Sequence, residues 1–308
     1  MNLATKKSLQ IREITPNKSM EIAHFFNSSS FLLNKPFKLR GWQLLGSQPL
    51  AQIFFYIKGG VAFSGFQATF GSFDVVENIA ESELLWFIKS LINELKENGV
   101  SKVKIRHFPS HFATANFILK ALEQFGFNKV LTETNQHINV NKPNFENVAD
   151  RSEVIRSNKC EKLGYTFKIT SIDDLPVIYK LIENTLLRKG NRPSMSFTDL
   201  KKTIEACAEN YLLFTLWDKN TLIAATVSVK INSSNLYNFY HSDHLEYRAV
   251  SALTYLLKNI YLYCYKHNFQ TLDLGISSIN GVINKGLFNF KKARGAVISD
   301  KNYYNLSL

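Results

Sequence analysis

The stretch Ser251-Ala252-Leu253-Thr254-Tyr255-Leu256-Leu257-Lys258 has a counterpart 169 residues upstream, Ser82-Glu83-Leu84-Leu85-Trp86-Phe87-Ile88-Lys89. Both place apolar residues at helical spacing. The same offset sets Val100, Val103 and Ile105 against Phe269, Leu272 and Leu274, and Gly126 against Gly295. Identities are few, but the order is shared: amphipathic helix, turn, buried strand, helix, glycine, extended segment. A pattern repeating once over half the chain predicts a duplicated domain.

Outward from the second copy, Tyr165, Phe167 and Ile169 alternate with polar residues and predict a strand over 164–170. Asp173 or Asp174 caps a helix carrying Pro176 in its first turn, with Val177, Ile178, Leu181, Ile182 and Leu186 at helical spacing and Gly190 at its end. A second helix is expected over 198–208. Strands follow over 211–217, 222–231 and 235–241, joined at Asp218-Lys219-Asn220 and Asn232-Ser233-Ser234. A helix over about 249–267, a strand over 271–275, a shorter helix near 282–290 and a final extended run complete the copy. The first copy predicts a helix over 18–27, strands between 37 and 70, a helix over 81–98, a strand over 102–107 and a helix over 112–125. Asn141–Asn158, polar and holding Pro143, is the expected linker, which gives domains of 1–145 and 159–308.

Composition narrows the class. The 308 residues carry a net charge of +12, and 45% are hydrophobic, enough for two packed cores and too many for a disordered chain. No apolar run is long enough to span a bilayer. The polar start, Met1-Asn2-Leu3-Ala4-Thr5-Lys6-Lys7-Ser8, lacks a leader's apolar core, so a cytoplasmic protein is expected. Cys160, Cys207 and Cys264 have no metal or redox spacing, and His107 with His111 lacks a third ligand nearby, so no metal is expected. Walker, GxSxG and Rossmann glycine patterns are absent. The excess charge is uneven: 16 bases against 12 acids through residue 150, 21 against 13 after it. Two stretches of the second half hold bases and no acid, Asn184–Phe197 with Arg188, Lys189 and Arg192, and Leu274–Ser299 with Lys285, Lys291, Lys292 and Arg294. Such clusters either attract anionic ligands or form solvated surface.

The order of elements in the second half resembles that of the GCN5-related N-acetyltransferase (GNAT) fold. Asn184-Thr185-Leu186-Leu187-Arg188-Lys189-Gly190 resembles the t-x-x-R-x-G segment of the FemAB-like and BioF2-like acyltransferases. Ser242-Asp243-His244-Leu245-Glu246-Tyr247 is similar to their turn before the long helix, Leu272-Asp273-Leu274-Gly275 to their y-D-x-G strand end, and Phe290-Lys291 with Arg294-Gly295 to their F-K-x-x-x-G element. The glycine-bearing acyl-CoA signature of ordinary GNAT enzymes is missing: Glu246–Ser251 holds no glycine, nor does Glu77–Ser82.

The resemblance implies an α/β (α+β) protein of two tandem GNAT-like domains, each a mixed central sheet flanked by helices, the second binding the donor. It implies an enzyme moving an acyl or aminoacyl group from a phosphate-bearing donor, most simply an acyl-CoA, to an amine acceptor. The FemAB-type alternative takes aminoacyl-tRNA as donor and a cell-wall precursor as acceptor. A third reading is a non-catalytic pair that binds an anion. The turn Arg248, Ala249, Val250 and Ser251 at the start of the long helix is the expected phosphate place, since helix N-termini attract anions; Ser251 either adds a hydroxyl there or simply caps the helix. His241, Asp243 and Glu246 are candidate bases, and Tyr240 or Tyr247 candidate proton donors. By resemblance Lys291 faces the donor, and Arg188 with Arg192 lies near the cleft. Asp273 either serves a substrate or caps the loop after its strand.

Overall fold

The computed structural model describes residues 9–308, so the polar run Met1–Ser8 lies outside the described residues. The chain forms two compact units that no single cut separates. The first takes the described residues through Thr134 together with Asn280–Val282 and Ser299–Leu308; the second takes Asn135–Ile279 and Ile283–Ile298. The expected pieces 1–145 and 159–308 follow the linker, whereas the units exchange the ends of the two copies.

In the first unit, β1 (Gln10–Ile14) and α1 (Ser29–Leu33) precede β2 (Arg40–Leu45), β3 (Pro49–Lys58), β4 (Val61–Ser64) and β5 (Asp74–Val75). Then come α2 (Glu81–Glu97), β6 (Lys102–Arg106), α3 (Ala115–Gln124) and β7 (Asn128–Asn139). The helix expected over 18–27 is absent. Two 3-10 turns, Pro16–Lys18 and Phe25–Asn27, stand there instead. A buried polar network claims this backbone: the His24 N–H and the Asn27 side chain both donate to Asp74, and Asn27 donates also to Ser72 O. Ser28 then caps α1 by accepting from the Phe31 N–H, the local competition that serines offer a helix. His107 is pinned in the same core between Ser72 Oγ (2.8 Å) and Ala115 O (3.1 Å), and burial holds its pKa down at about 4.

In the second unit, the expected linker is folded. Phe145–Asn147 is a 3-10 turn and α4 (Arg151–Lys162) a helix that packs on the later helix Ala252–Lys266. Asn141–Asn158 reads as polar because α4 faces water on most sides, yet Phe145, Glu153 and Ser157 are buried. β8 (Thr166–Thr170), α5 (Leu175–Leu187) and α6 (Phe197–Ala206) follow, then β9 (Tyr211–Asp218), β10 (Thr221–Lys230) and β11 (Asn235–Asp243). α7 (Ala252–Lys266) leads to β12 (Thr271–Ile276), the short hairpin β13 (Ser278–Ile279) and β14 (Val282–Ile283), α8 (Lys285–Lys292) and β15 (Val297–Ser307). The helix expected from 282 starts three residues later because Asn280 and Gly281, both at positive φ, turn a hairpin first.

The expected offset of 169 aligns β6 with β12, α3 with α8 and β7 with β15 to within a residue at their starts. The last strands are exchanged, however. In the first unit the sheet runs β1-β2-β3-β4-β6-β15, and β15 pairs with β6 antiparallel from Tyr303↔Arg106 to Ser307↔Lys102. In the second unit β12 is flanked by β11 and by residues 135–139 of β7, with Thr271↔Asn139 and Asp273↔His137. The second core gathers Leu256, Ile260 and Tyr261 of α7 against Phe214, Ile223, Leu236 and Leu272 of the sheet.

Each half of the chain therefore lacks the strand that closes its own sheet, and an unpaired buried edge leaves backbone donors and acceptors without partners. Residues 1–145 and 159–308 expressed separately should be insoluble or fail to give a cooperative melt, while co-expression restores one. A sharp two-state transition for either half alone, followed by circular dichroism, would contradict the exchange.

Candidate active site

β11 and β12 run parallel for only three residue pairs, Asn235↔Thr271, Leu236↔Leu272 and Tyr237↔Asp273, and then part. β11 continues to Asp243 beside β10, so Asn238–Asp243 have no β12 partner. The parting begins at a bulge: Asn238 faces Ser228 and Tyr240 faces Val227, leaving Phe239 as the extra residue. A bulge bends its strand and re-aims its side chains, which suits a functional gap. Gly275, at φ +75°, turns β12 away; a Cβ there would sit 3.2 Å from the Tyr237 ring, which occupies the wedge.

Lys291 reaches this gap from α8. Its Nζ donates to Gly275 O and Ile276 O, both at 2.8 Å, on the departing limb of β12. The side chain is 1% exposed, and burial draws its pKa down to about 7, with the Asp273 carboxylate pulling the other way. Two of the three amine valences are thus spent on carbonyls. His241, half-buried on β11, stacks on Phe290 with ring centroids 6.0 Å apart and makes no hydrogen bond to the described residues. Burial, then the charges of Lys291, Lys189 and Arg294, hold its imidazole neutral with a pKa near 3. Asp273 stays beneath the gap, 2% exposed, accepting from Gly275 N (2.7 Å) and Asn135 Nδ2 (2.9 Å). Burial raises its pKa.

The rim is cationic. α5 buries Ile178, Leu181, Ile182 and Thr185, and its last turn delivers Arg188 to the end of β11. Arg188 Nη2 donates to Thr185 Oγ1 and Asp243 O, each at 3.1 Å. Asp243 pairs with Arg248 at 3.2 Å. Burial lowers the pKa of neighbouring Lys189, helped by Arg248 and Arg188 against Asp243. Three cations therefore surround one carboxylate. Arg248, Ala249 and Val250 make the turn into α7, whose N-cap, Ser251, adopts a left-handed conformation (φ 58°) without a side-chain cap.

Other expected residues are held elsewhere. The Tyr247 phenol donates to Asp218 at 2.9 Å, and its ring sits edge-on to Tyr165. Tyr240 OH accepts from Met195 N and bonds Ser194 Oγ at 2.7 Å, tying down the α5–α6 loop. Arg192 in that loop is exposed. Glu246 is exposed on the 3-10 turn Leu245–Tyr247. Among the described residues no group of three or more His, Cys, Asp or Glu is placed to hold a metal, and Cys160, Cys207 and Cys264 are buried and form no disulfide.

Two features were not read from the sequence. Beneath the start of α7, Arg294, just past the end of α8, pairs with Glu153 of α4 at 2.9 Å and donates to Thr254 Oγ1, which itself donates to Glu153. The pair is 8% and 4% exposed and fixes α4, α7 and α8 together. Its signal was Glu153 standing in a segment taken for solvated linker. The other is an open pocket of about 280 Å³ within the first unit, lined by Phe63, Phe66, Lys104, Arg106 and Tyr303 among others. Lys104 lies over the Phe63 ring and Arg106 over the Tyr303 ring. Lys102, Lys104 and Arg106 alternate with Val103 and Ile105, a basic strand face legible in the period of two.

No protein-family model matches the sequence, and comparison with curated proteins finds no relative. Solved structures do resemble it. FemX superposes with a TM-score of 0.75 over 97% of both chains, at 14% identity. The chain has a GNAT-like fold. A conserved protein of unknown function from Bacteroides thetaiotaomicron (TM-score 0.60, 11% identity) is matched over 97% of this chain and 100% of that one. A tandem GNAT protein from the clavulanic acid biosynthesis pathway (0.54, 10%) is matched over 97% and 98%. At these identities the likeness is one of fold, and the parted strands β11 and β12 lie side by side within the second unit's mixed sheet, in the order β7-β12-β11-β10-β9-β8.

Removing one partner of the buried pair should be costly, because a buried charge is left short of its partner, Glu153 keeping only the more exposed Arg156. Arg294→Leu or Glu153→Leu is expected to lose about 3–5 kcal/mol in urea unfolding, and the double replacement by Leu and Met considerably less. Equal losses for single and double variants would show that packing, not the charge pair, matters here.

Proposed function

We propose that the chain is an acyl or aminoacyl transferase that moves its group from a phosphate-bearing donor, in the simplest case an acyl-CoA, onto an amine. The observation that carries this reading is the gap between β11 and β12, with Lys291 and His241 beside it and the cations Arg188, Lys189 and Arg248 on its rim. Acyl transfer to an amine requires an unprotonated nucleophile, a stabilised oxyanion and a proton for the leaving group. The parted strands and the turn into α7 are the source of backbone N–H groups for the oxyanion and the donor's phosphate, and the rim cations supply the balancing charge.

His241 is too weak a base, with a pKa near 3, to deprotonate an ammonium. In this reading it accepts a hydrogen bond from the acceptor amine and orients it. Lys291, with a pKa of about 7, is well matched to the proton transfer. Neutral Lys291 keeps one lone pair after donating to two carbonyls; it takes the proton from the attacking amine and, once charged, returns one to the leaving thiolate or alkoxide. Tyr240, Tyr247 and Asp273 act here as positioning residues. A CoA or tRNA donor places the reaction in the cytoplasm.

The cationic rim and the missing glycine signature also fit the FemAB-type donor, aminoacyl-tRNA. Thermal shift separates the donors: acetyl-CoA, a long-chain acyl-CoA and a total tRNA fraction are each titrated against the intact chain. Stabilisation by one class, lost in Arg188→Gln/Arg248→Gln, is the expected outcome. No shift with any of them would refute both transferase readings and leave the non-catalytic anion-binding pair.

Lys291 gives a second prediction. As a base it must be neutral to act, so kcat/KM should rise with pH through about 7 and level off above it. Lys291→Met should abolish that limb. Activity that instead falls as pH climbs through 7 would assign the ammonium, not the amine, as the working form.

A further inference from the structure

The hairpin between β13 and β14 is short, rigid and bare. Asn280 (φ 51°) and Gly281 (φ 77°) form a two-residue turn of the type favoured in tight hairpins. Such a turn sets Ile279 opposite Val282, and these side chains are 68% and 73% exposed. Ile283 is exposed beside them. The turn is anchored rather than loose: Gly281 N–H donates to the buried Glu133 carboxylate, and Asn284 N–H closes the base on Ser277 O at 2.8 Å. Asn284 then caps α8 by accepting from Leu287 N.

The acid that touches the turn, Glu133, is buried, and the exposed charges next to the tip are lysines. Lys285 and Lys292 are exposed, and no acid occurs from Leu274 to Ser299. The acid preceding that stretch, Asp273, is buried. Two or three side chains on a narrow tip cover too little area for a stable protein interface, which needs about 800 Å² per partner. A tip of this size flanked by lysines does suit a bilayer, where apolar groups enter the headgroup boundary and cations meet anionic lipids.

We infer that the Ile279–Ile283 hairpin docks the protein on an anionic lipid surface, with Ile279 and Val282 entering the bilayer boundary and Lys285 and Lys292 meeting lipid phosphates. This does not depend on the transferase reading. Co-sedimentation of the intact chain with 1:1 phosphatidylglycerol–phosphatidylcholine vesicles tests it against pure phosphatidylcholine. Binding to the anionic vesicles is expected to be at least tenfold stronger and to weaken as salt is raised. Ile279→Ser/Val282→Ser should reduce it at least tenfold, and Lys285→Gln/Lys292→Gln severalfold, with melting temperatures unchanged because all four side chains are exposed. Ile279→Trp should show blue-shifted emission on anionic vesicles only, measured over the background of Trp42, Trp86 and Trp217. Absence of sedimentation with anionic vesicles would overturn the inference, as would undiminished binding by the serine pair. So would a dimer in sedimentation equilibrium that the serine pair dissolves, since the hairpin would then serve self-association.

Discussion

Parallel strands that part inside a protein leave carbonyls facing a gap, and each buried carbonyl left without a donor costs about 1–3 kcal/mol. The departing limb of β12 solves this with one side chain. Lys291 Nζ donates to Gly275 O and Ile276 O, and so props open the separation that begins after Tyr237↔Asp273. Much else follows from placing an amine there. The turn of Gly275 is needed to aim its carbonyl, Tyr237 fills the wedge a side chain at 275 would need, and Asp273 beneath offsets part of the penalty of burying a cation. The same burial that makes Lys291 a structural prop lowers its proton affinity to the range useful at neutral pH. Propping and proton transfer are therefore one constraint seen from two sides, and no substitution at 291 separates them by stability alone.

α8 must hold Lys291 in place, and α8 is a short helix with an exposed outer face. Its position is secured by the Arg294–Glu153–Thr254 cluster one turn further on, with the Arg294 guanidinium also lying 3.6 Å from the Phe290 ring centroid. Phe290 in turn stacks on His241. One arginine thus links the segment before β8 to both groups at the gap. Burial lowers the Arg294 pKa to about 10, still far above neutrality, so the link stays charged wherever the protein functions.

How much of this was legible in the sequence depends on how local each cause is. Helices α2, α5 and α7 and strands β6, β9 and β10 follow from periodicity, because a face buried against one neighbour writes its period into the residues. The residues 18–27 failed that test: His24 and Asn27 obey Asp74, some fifty residues away, and no local pattern records such a partner. α4 was misread for a similar reason. Its exposed sides dominate its composition, while its buried acid, Glu153, takes its buried partners, Thr254 and Arg294, from far along the chain. At the candidate site, His241 and Lys291 lie beside the gap, and Arg188 and Arg248 gather at Asp243 on the end of β11. Tyr240 and Tyr247 are diverted by Ser194 and Asp218, whose proximity arises from loop geometry that spacing does not encode.

The duplication also explains why only one copy has this constellation. At the offset of 169, Asp273, Gly275 and Lys291 correspond to Lys104, Arg106 and Leu122. Leu122 is fully buried apolar packing, so the first copy has no amine to prop its strands. Its β4 ends at Ser64, paired with Ile105, and no longer limb continues from it to require one. Lys104 and Arg106 of β6 instead lie over the aromatic rings of Phe63 and Tyr303, and Arg106 also donates to Ala68 O. Across the duplication, the strand positions of Asp273 and Gly275 hold the half-buried cations Lys104 and Arg106 that line the first unit's pocket, while the helix position of the buried Lys291 holds Leu122, so the two copies keep one order of strands around different charges.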